Sequence, residues 1–346
     1  MSLHHGGQLH AAARQFGVPL EQWLDLSTGV SPYSWPVPEV PAAVWRDLPD
    51  SDGGLEQAAA NYYGCPAQNL LAVDGSQFAL ATMPGLLPGG RVAMPRRGYA
   101  EHRAAWQGSG YKLCDYADID SLIALVDEGQ VEHALVINPN NPTAGRIGKQ
   151  QLQRLRETLR RRGGYLVVDE AFGDIEPEYS IVDEVGAGGL VVYRSLGKFF
   201  GLAGLRLGFL IGESALCRAM CKRMMPWQVS HPARWIGRRA LQDEVWQAMQ
   251  RARLQDEGEQ WLAELRAQLP DFDLSGAGLF VTASAAGKRC SDLFQFAARR
   301  GLLLRLFQEQ DGVELLRFGL PTLADKSRVL DILTAYAGDA RCSEAS

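Results

Sequence analysis

The sequence predicts an α/β fold: a large domain whose mostly parallel central sheet is sandwiched by helices, plus a smaller α+β domain. Three observations predict it. Short, fully apolar runs such as Tyr165-Leu166-Val167-Val168 suit strands covered on both faces by helices. Such runs alternate with helix-like stretches through the middle of the chain. From about Pro226 the pattern changes to a long helical stretch followed by strand-like pieces around one helix.

Strands of the large domain are expected at Leu70–Val73, Arg91–Met94, His133–Ile137, Gly164–Val168, Leu190–Arg194 and Leu207–Ile211. Gly148–Arg162 reads as an amphipathic, basic helix, and Gly163-Gly164 ends it. A long helix is expected over Arg234–Leu269, where Pro270 stops it. Strands at Leu279–Ala283, Leu302–Leu306 and Glu314–Phe318, around a helix at Cys290–Arg300, make the second domain. The first 45 or so residues are rich in Gly, Pro and Ser and read as an arm or an extension of the small domain. The expected division is 1–45, the arm and part of the small domain; 46–228, the large domain; and 229–346, an interdomain helix and the C-terminal small domain.

With 346 residues, 46% hydrophobic and 22% charged, the chain has room for about two domains and an ordinary globular composition. A net charge of −5 argues against a nucleic-acid surface, although local arginines can still hold small anions. The six cysteines (Cys65, Cys114, Cys217, Cys221, Cys290, Cys342) form no Cys-x-x-Cys pair, so neither a zinc site nor a disulfide framework is expected. The start of the chain shows no basic segment followed by an apolar run. No apolar stretch approaches the roughly 20 residues that span a bilayer. A soluble, cytoplasmic protein with reduced thiols is expected, with neither nucleic acid nor membrane as a partner.

The most informative segment is Ser195-Leu196-Gly197-Lys198-Phe199-Phe200-Gly201-Leu202-Ala203-Gly204-Leu205-Arg206-Leu207-Gly208. A strand ends at Arg194, and a loop punctuated by glycine then presents one hydroxyl, one lysine and one arginine. Ser195 and Arg206 are donors suited to a phosphate, and the glycines let the backbone approach closely. Lys198 lies among Phe199, Phe200, Leu202 and Leu205, which disfavour full exposure; apolar and cationic neighbours depress an amine's pKa, as attack on an aldehyde requires. In Asp74-Gly75-Ser76-Gln77-Phe78, free amides at a helix start and the Ser76 hydroxyl again suit a phosphate, although ordinary capping explains the same residues. Asp169, in Val167-Val168-Asp169-Glu170-Ala171-Phe172, ends a buried strand, where a carboxylate is costly unless paired. Glu170 competes for the same role. Arg305 and Arg317 each sit among apolar residues in small-domain strands; alone, either suits a solvated sheet face, and together they can clamp an anion. His4-His5-Gly6-Gly7-Gln8 and His10 lack acidic or cysteine partners, so no metal site is expected.

The lysine run, with Arg eight residues after Lys198 inside Gly-Leu-Ala-Gly-Leu-Arg-x-Gly, resembles the cofactor-lysine motif of the fold-type-I aminotransferase superfamily. Within it the resemblance is to the branch that holds histidinol-phosphate aminotransferases and the threonine-phosphate decarboxylases of cobalamin biosynthesis. Its motifs recur in order from residue 5 to residue 317. The resemblance implies pyridoxal 5′-phosphate carried on Lys198, with Asp169 on the pyridine nitrogen as the second catalytic group. It further implies Asn141 on the phenolic oxygen and a cofactor-phosphate cup from Ser76, Gln77, Ser195 and Arg206. His102 in Tyr99-Ala100-Glu101-His102 would stack on the ring, with Tyr99 as the alternative. Arg317 would take the substrate carboxylate, Arg305 would be a second anion-binding arginine, and the His5-Gly6-Gly7 arm would close over a substrate phosphate.

Five departures from that pattern stand out: Ala144 where relatives read Pro-Thr-Gly, Phe172 and Leu48 where many carry Tyr, Gln8 where many carry Asn, and Ser27-Thr28-Gly29-Val30-Ser31-Pro32 where relatives often show an Asn-rich stretch. Phe172, Arg305 and the His-Gly-Gly arm favour decarboxylation of L-threonine O-3-phosphate to (R)-1-aminopropan-2-yl phosphate over transamination of the histidinol-phosphate type. The resemblance also implies a homodimer. Intact Lys198 and Asp169 argue against a non-catalytic binding module.

Overall fold

The computed structural model describes residues 5–50, 53–308 and 312–344, so His4 lies outside the described residues. Its strands run, in chain order, β1 (Leu24–Asp25), β2 (Leu70–Asp74), β3 (Arg91–Pro95), β4 (Lys112–Tyr116), β5 (His133–Ile137), β6 (Leu166–Asp169), β7 (Leu190–Ser195), β8 (Leu207–Gly212), β9 (Asp273–Gly276), β10 (Phe280–Ser284), β11 (Leu302–Leu303), β12 (Arg305–Gln308) and β13 (Glu314–Gly319). The chain divides into two compact units. One is Ser34–Asn141 with Gly145–Arg251; the other takes the residues up to Tyr33, Pro142–Ala144 and the chain from Ala252 on.

The helices are α1 (Leu9–Phe16), α2 (Ala42–Arg46), α3 (Leu55–Tyr63), α4 (Gly75–Thr82), α5 (Ala100–Gly108), α6 (Ile119–Asp127), α7 (Lys149–Arg161), α8 (Ser214–Cys221), α9 (His231–Gln242), α10 (Glu244–Gln268), α11 (Arg289–Ala298) and α12 (Leu323–Glu344). None among the described residues is long and apolar enough to cross a membrane.

The first unit is built on a seven-stranded sheet of order β2-β8-β7-β6-β5-β3-β4. β8 alone runs against its neighbours, pairing antiparallel with β7 and β2; the other pairings are parallel. β5, β6 and β7 are buried at every position, which is why they read as unbroken apolar runs. Val73, Leu80, Met83, Val92, Trp106, Leu135, Val167, Val191 and Leu210 meet in one core of this unit. β4 escaped the sequence reading: as an edge strand with exposed Lys112 and Asp115 it carries no apolar run.

The boundary of this unit falls at Tyr33/Ser34, before the position near 45 that composition suggested. Hydrogen bonds to the backbone at Phe200 and Gly201 explain the difference. Trp35 N–H donates to Phe200 O (2.9 Å), and the Ser34 hydroxyl donates to Gly201 O (2.9 Å). The expected Arg234–Leu269 helix is broken at Asp243, whose Oδ1 accepts from Trp246 N–H (3.1 Å) and so starts α10 afresh. Asp243 Oδ2 also accepts from Trp35 Nε1–H (3.0 Å).

The second unit carries a four-stranded antiparallel sheet, β12-β13-β10-β9, and a two-stranded parallel pair, β1 with β11. Leu302–Leu306, expected as one strand, is shared between them. Leu302 and Leu303 pair with Leu24 and Asp25, and from Arg305 the chain pairs with β13. Ala12, Trp23, Ala298 and Leu303 pack together beneath α1.

Candidate active site

In the first unit the candidate residues gather at the carboxyl ends of β6 and β7 and around the start of α4. Open α/β sheets place their ligands outside the carboxyl ends of the strands. Asp169, the last residue of β6, is 6% exposed. Its Oδ1 accepts from Ala171 N–H (3.0 Å), and its Oδ2 lies 2.8 Å from His102 Nε2. A carboxylate only accepts, so the shared hydrogen sits on Nε2 of the histidine.

His102, expected to stack on a ligand, is buried and paired with Asp169 in this structure. The ring is 1% exposed, lies nearly parallel to Tyr193 (centroids 6.1 Å, 20°), and meets Tyr99 edge to face. The reason is helical phase: His102 lies in the first turn of α5 and points inward, whereas Tyr99 stands just before the helix. Tyr99 is half-buried, and its hydroxyl donates to Gln77 Oε1 (3.1 Å). Tyr99 is therefore the ring of this turn that keeps exposed surface beside the α4 start.

Glu170 is withdrawn from the site. Alternation along a strand sends its side chain away from that of Asp169. Glu170 is 1% exposed and bound by Arg194 Nη2 (2.7 Å), the Ser180 hydroxyl (2.7 Å) and Ile181 N–H (3.0 Å). Asp174 joins the same buried cluster, 3.5 Å from Arg194 Nη1. Burial pushes the Asp174 carboxyl up, against the pull of Arg194. Sequence reasoning missed this cluster, although Arg194 immediately before Ser195 is an unusual residue for the end of a buried strand.

Lys198 is half-buried in the turn after β7, with its Nζ 5.3 Å from the centre of the buried Phe172 ring. Ser195 ends β7 and is buried; its register partner across the sheet is Gly208. Gly208, one of the glycines that punctuate this run, lies directly against the start of α4. A Cβ on Gly208 would collide with the backbone nitrogen of Ser76 and the carbonyl of Arg194. Likewise a Cβ on Gly75, at φ +64°, would lie 2.6 Å from Arg206 Nη2. The first turn of α4, with half-buried Ser76 and Gln77, thus rests on β8 with the Arg206 guanidinium against it. Free amides, a hydroxyl and a guanidinium make a cradle for a phosphate. Asn141 lies three residues beyond Asn138, whose N–H donates to the Asp169 carbonyl (2.8 Å). The loop that follows turns at Ala144, held at φ 61°.

The remaining candidates belong to the second unit. Arg305 and Arg317 are direct cross-strand partners of β12 and β13. Two arginines directly opposite on neighbouring strands suit an anionic ligand. Arg317 is 6% exposed and donates from Nη2 to Ser27 O (2.7 Å); Phe280 and Phe307 flank its guanidinium at 5.3 and 5.5 Å. Gly7 N–H donates to the Ser27 hydroxyl (2.8 Å), Gly6 packs on the Ser27 carbonyl, and His5 is exposed. The sequence marks the Ser27–Pro32 stretch only by its place in the family pattern and gives Ser27 itself no role, because its partners Gly7 and Arg317 lie far away in the chain.

Comparison with known proteins places the chain in a family. The threonine-phosphate decarboxylase of Pseudomonas aeruginosa is 41% identical over 325 residues, covering 92% of this chain and 93% of that protein. The histidinol-phosphate aminotransferase of Sinorhizobium meliloti, solved in complex with pyridoxal-5′-phosphate, superposes with a TM-score of 0.79 at 19% identity, over 96% of this chain and 94% of that one. The L-threonine-O-3-phosphate decarboxylase of Porphyromonas gingivalis gives a TM-score of 0.72 at 18% identity, over 84% of this chain and 93% of that one. At such identities the two structures speak for the fold alone. Residues 46–329 match the aminotransferase class I and II family, and the chain belongs to that family.

Proposed function

We propose that this chain is a pyridoxal-phosphate-dependent lyase that decarboxylates L-threonine O-3-phosphate, yielding (R)-1-aminopropan-2-yl phosphate for cobalamin biosynthesis. The observation that carries the choice of substrate is the register that sets Arg305 opposite Arg317, since a phosphorylated amino acid brings two anionic groups. The 41% identity to a threonine-phosphate decarboxylase over nearly the whole chain supports the same reading.

The residues present fit the cofactor. The α4 cradle of Ser76, Gln77 and Arg206, with Ser195, suits its phosphate, and the buried Asp169 carboxylate suits the pyridinium nitrogen. Asn141 is assigned to the phenolic oxygen, and Tyr99, in place of His102, to the ring face. When bound, the group supplies an electron sink for the charge left when a bond at the substrate α-carbon breaks.

The protein's own contribution follows from its side chains. Lys198 is assigned as the amine that would hold the aldehyde, and Lys198 or a nearby acid as the group that would return a proton to the α-carbon. Phe172 gives its Nζ an apolar neighbour where a tyrosine would offer a hydroxyl. His102 keeps Asp169 oriented through Nε2. Arg317 is assigned to the substrate carboxylate, Arg305 to a second anionic contact, and the His5-Gly6-Gly7 arm to the substrate phosphate.

A homodimer is part of the proposal. Trp45, Leu48, Met225 and Trp227 are all more than half exposed. Bonds from Arg234 Nε to Asp50 O (3.1 Å) and between His231 Nδ1 and Asp47 O (3.0 Å) hold the 45–50 segment beside the start of α9. Exposed large apolar groups are suited to a protein–protein contact. A cytoplasmic location accords with the free cysteines among the described residues.

The decisive experiment mixes cofactor-loaded protein with threonine phosphate and follows CO₂ release beside 2-oxoglutarate-dependent glutamate formation. CO₂ without glutamate is expected. Glutamate without CO₂ sinks the lyase reading. Lys198→Ala is expected to abolish turnover and the absorbance of the lysine-bound cofactor.

A further inference from the structure

The N-terminal arm and Arg317 are assigned above to opposite ends of the substrate, and both are tied to one residue. Ser27 is 2% exposed. Its hydroxyl accepts from Gly7 N–H (2.8 Å) and donates to Asp25 Oδ1 (2.6 Å), and the same carboxylate oxygen accepts from Ser27 N–H (2.9 Å). With its hydrogen committed to Asp25, the hydroxyl turns a lone pair to the arm. The Ser27 carbonyl accepts from Arg317 Nη2 (2.7 Å), and it closes against Gly6, where a Cβ would lie 2.6 Å from that oxygen.

The support beneath Ser27 is rigid. Asp25 ends β1, in register with Leu303 of β11. One residue further, the Leu26 carbonyl accepts from Gly319 N–H (2.7 Å) at the end of β13, the strand that carries Arg317. The segment is thus held to β11 on one side and β13 on the other. Turn geometry alone requires none of the contacts to Gly6, Gly7 or Arg317.

We infer that Ser27 is a positioning residue of the substrate site, seating the arm through its hydroxyl and Arg317 through its carbonyl, with Asp25 orienting the hydroxyl. The identity of the ligand rests on the threonine-phosphate reading; the seating itself does not. Losing the Ser27 hydroxyl frees the arm while leaving the carbonyl on Arg317. Ser27→Ala should therefore act on substrate capture more than on the chemical step.

The test compares Ser27→Ala with Ser27→Thr, which keeps a hydroxyl, each as the cofactor-loaded enzyme. Steady-state CO₂ release from threonine phosphate is measured beside hydrogen exchange at the amides from Gly7 to Leu9. Ser27→Ala is expected to raise KM about tenfold, the worth of one hydrogen bond, with a smaller change in kcat and faster exchange at Gly7. Ser27→Thr is expected to restore both. An unchanged KM, or a loss confined to kcat, overturns the inference. If the unaltered enzyme releases no CO₂, the substrate reading has failed, and the exchange measurement decides the seating separately: Gly7 exchange as slow in Ser27→Ala as in the parent refutes it. If Ser27→Ala does not fold, Gly6→Ala is measured instead, and a normal KM there is equally fatal to it.

Discussion

Asp169 and His102 form a buried pair whose worth is set by burial. A hydrogen bond to a charged group contributes about 1.5–3 kcal/mol, and its loss inside a dry site leaves the carboxylate freer to turn. His102→Phe is expected to lower kcat about tenfold to a hundredfold and to shift the pH titration of the bound cofactor's absorbance. A kcat equal to that of the parent enzyme would show that His102 serves packing only. A second histidine makes a prediction about stability. His133 Nε2–H donates to Pro88 O (2.8 Å), and its Nδ1 accepts from Tyr165 N–H (3.1 Å), so the fold needs the neutral ring. Burial pushes its pKa down. The unfolded chain, titrating near about 6.5, binds the proton first, so this contribution is complete above that pH and is lost as the pH falls below it. Melting temperature should fall between pH 7.5 and pH 5.5, and the fall should be shallower in His133→Gln.

At the scale of elements, the site depends on two strands whose own residues are mostly small or apolar. β8 brings Gly208 beneath the first turn of α4, and the turn preceding it delivers Arg206 against Gly75. Gly208→Ala must lift that turn or bend the strand, either of which spoils a cradle that works only at close range. We expect cofactor affinity to fall at least about tenfold in an absorbance titration, with the sheet retained by circular dichroism. Unchanged affinity would mean that the α4 seat is dispensable. β13 plays the corresponding part in the second unit, carrying Arg317 opposite Arg305 and ending in Gly319, which bonds the Leu26 carbonyl.

At the scale of the whole molecule, the prediction concerns assembly. Trp45, Leu48, Met225 and Trp227 are large apolar residues, each more than half exposed. Sedimentation should give a dimer for the parent chain and a monomer for Trp227→Asp at micromolar concentration. A parent chain that sediments as a monomer would remove the homodimer from the proposal. Leu48 belongs to this surface: the residue that supplies no hydroxyl where relatives have tyrosine presents an apolar face instead.

Much of this protein was legible in its order of residues. Strands buried on both faces announce themselves as apolar runs, so β5, β6, β7 and β8 were readable without partners, as was the lysine loop whose composition is local. Edge strand β4, the break at Asp243 and the division of Leu302–Leu306 between two sheets were not, because each depends on a group far away in the chain. The same holds inside the site. Spacing along the chain offered His102 or Tyr99 for one role and Asp169 or Glu170 for another; only burial and pairing separated them, giving His102 to Asp169 and Glu170 to Arg194. The lysine loop carries its chemistry in consecutive residues. The pairing of Arg305 with Arg317 and the bond from Arg317 to Ser27 exist only where the fold brings distant residues together, and register is a property of the folded sheet.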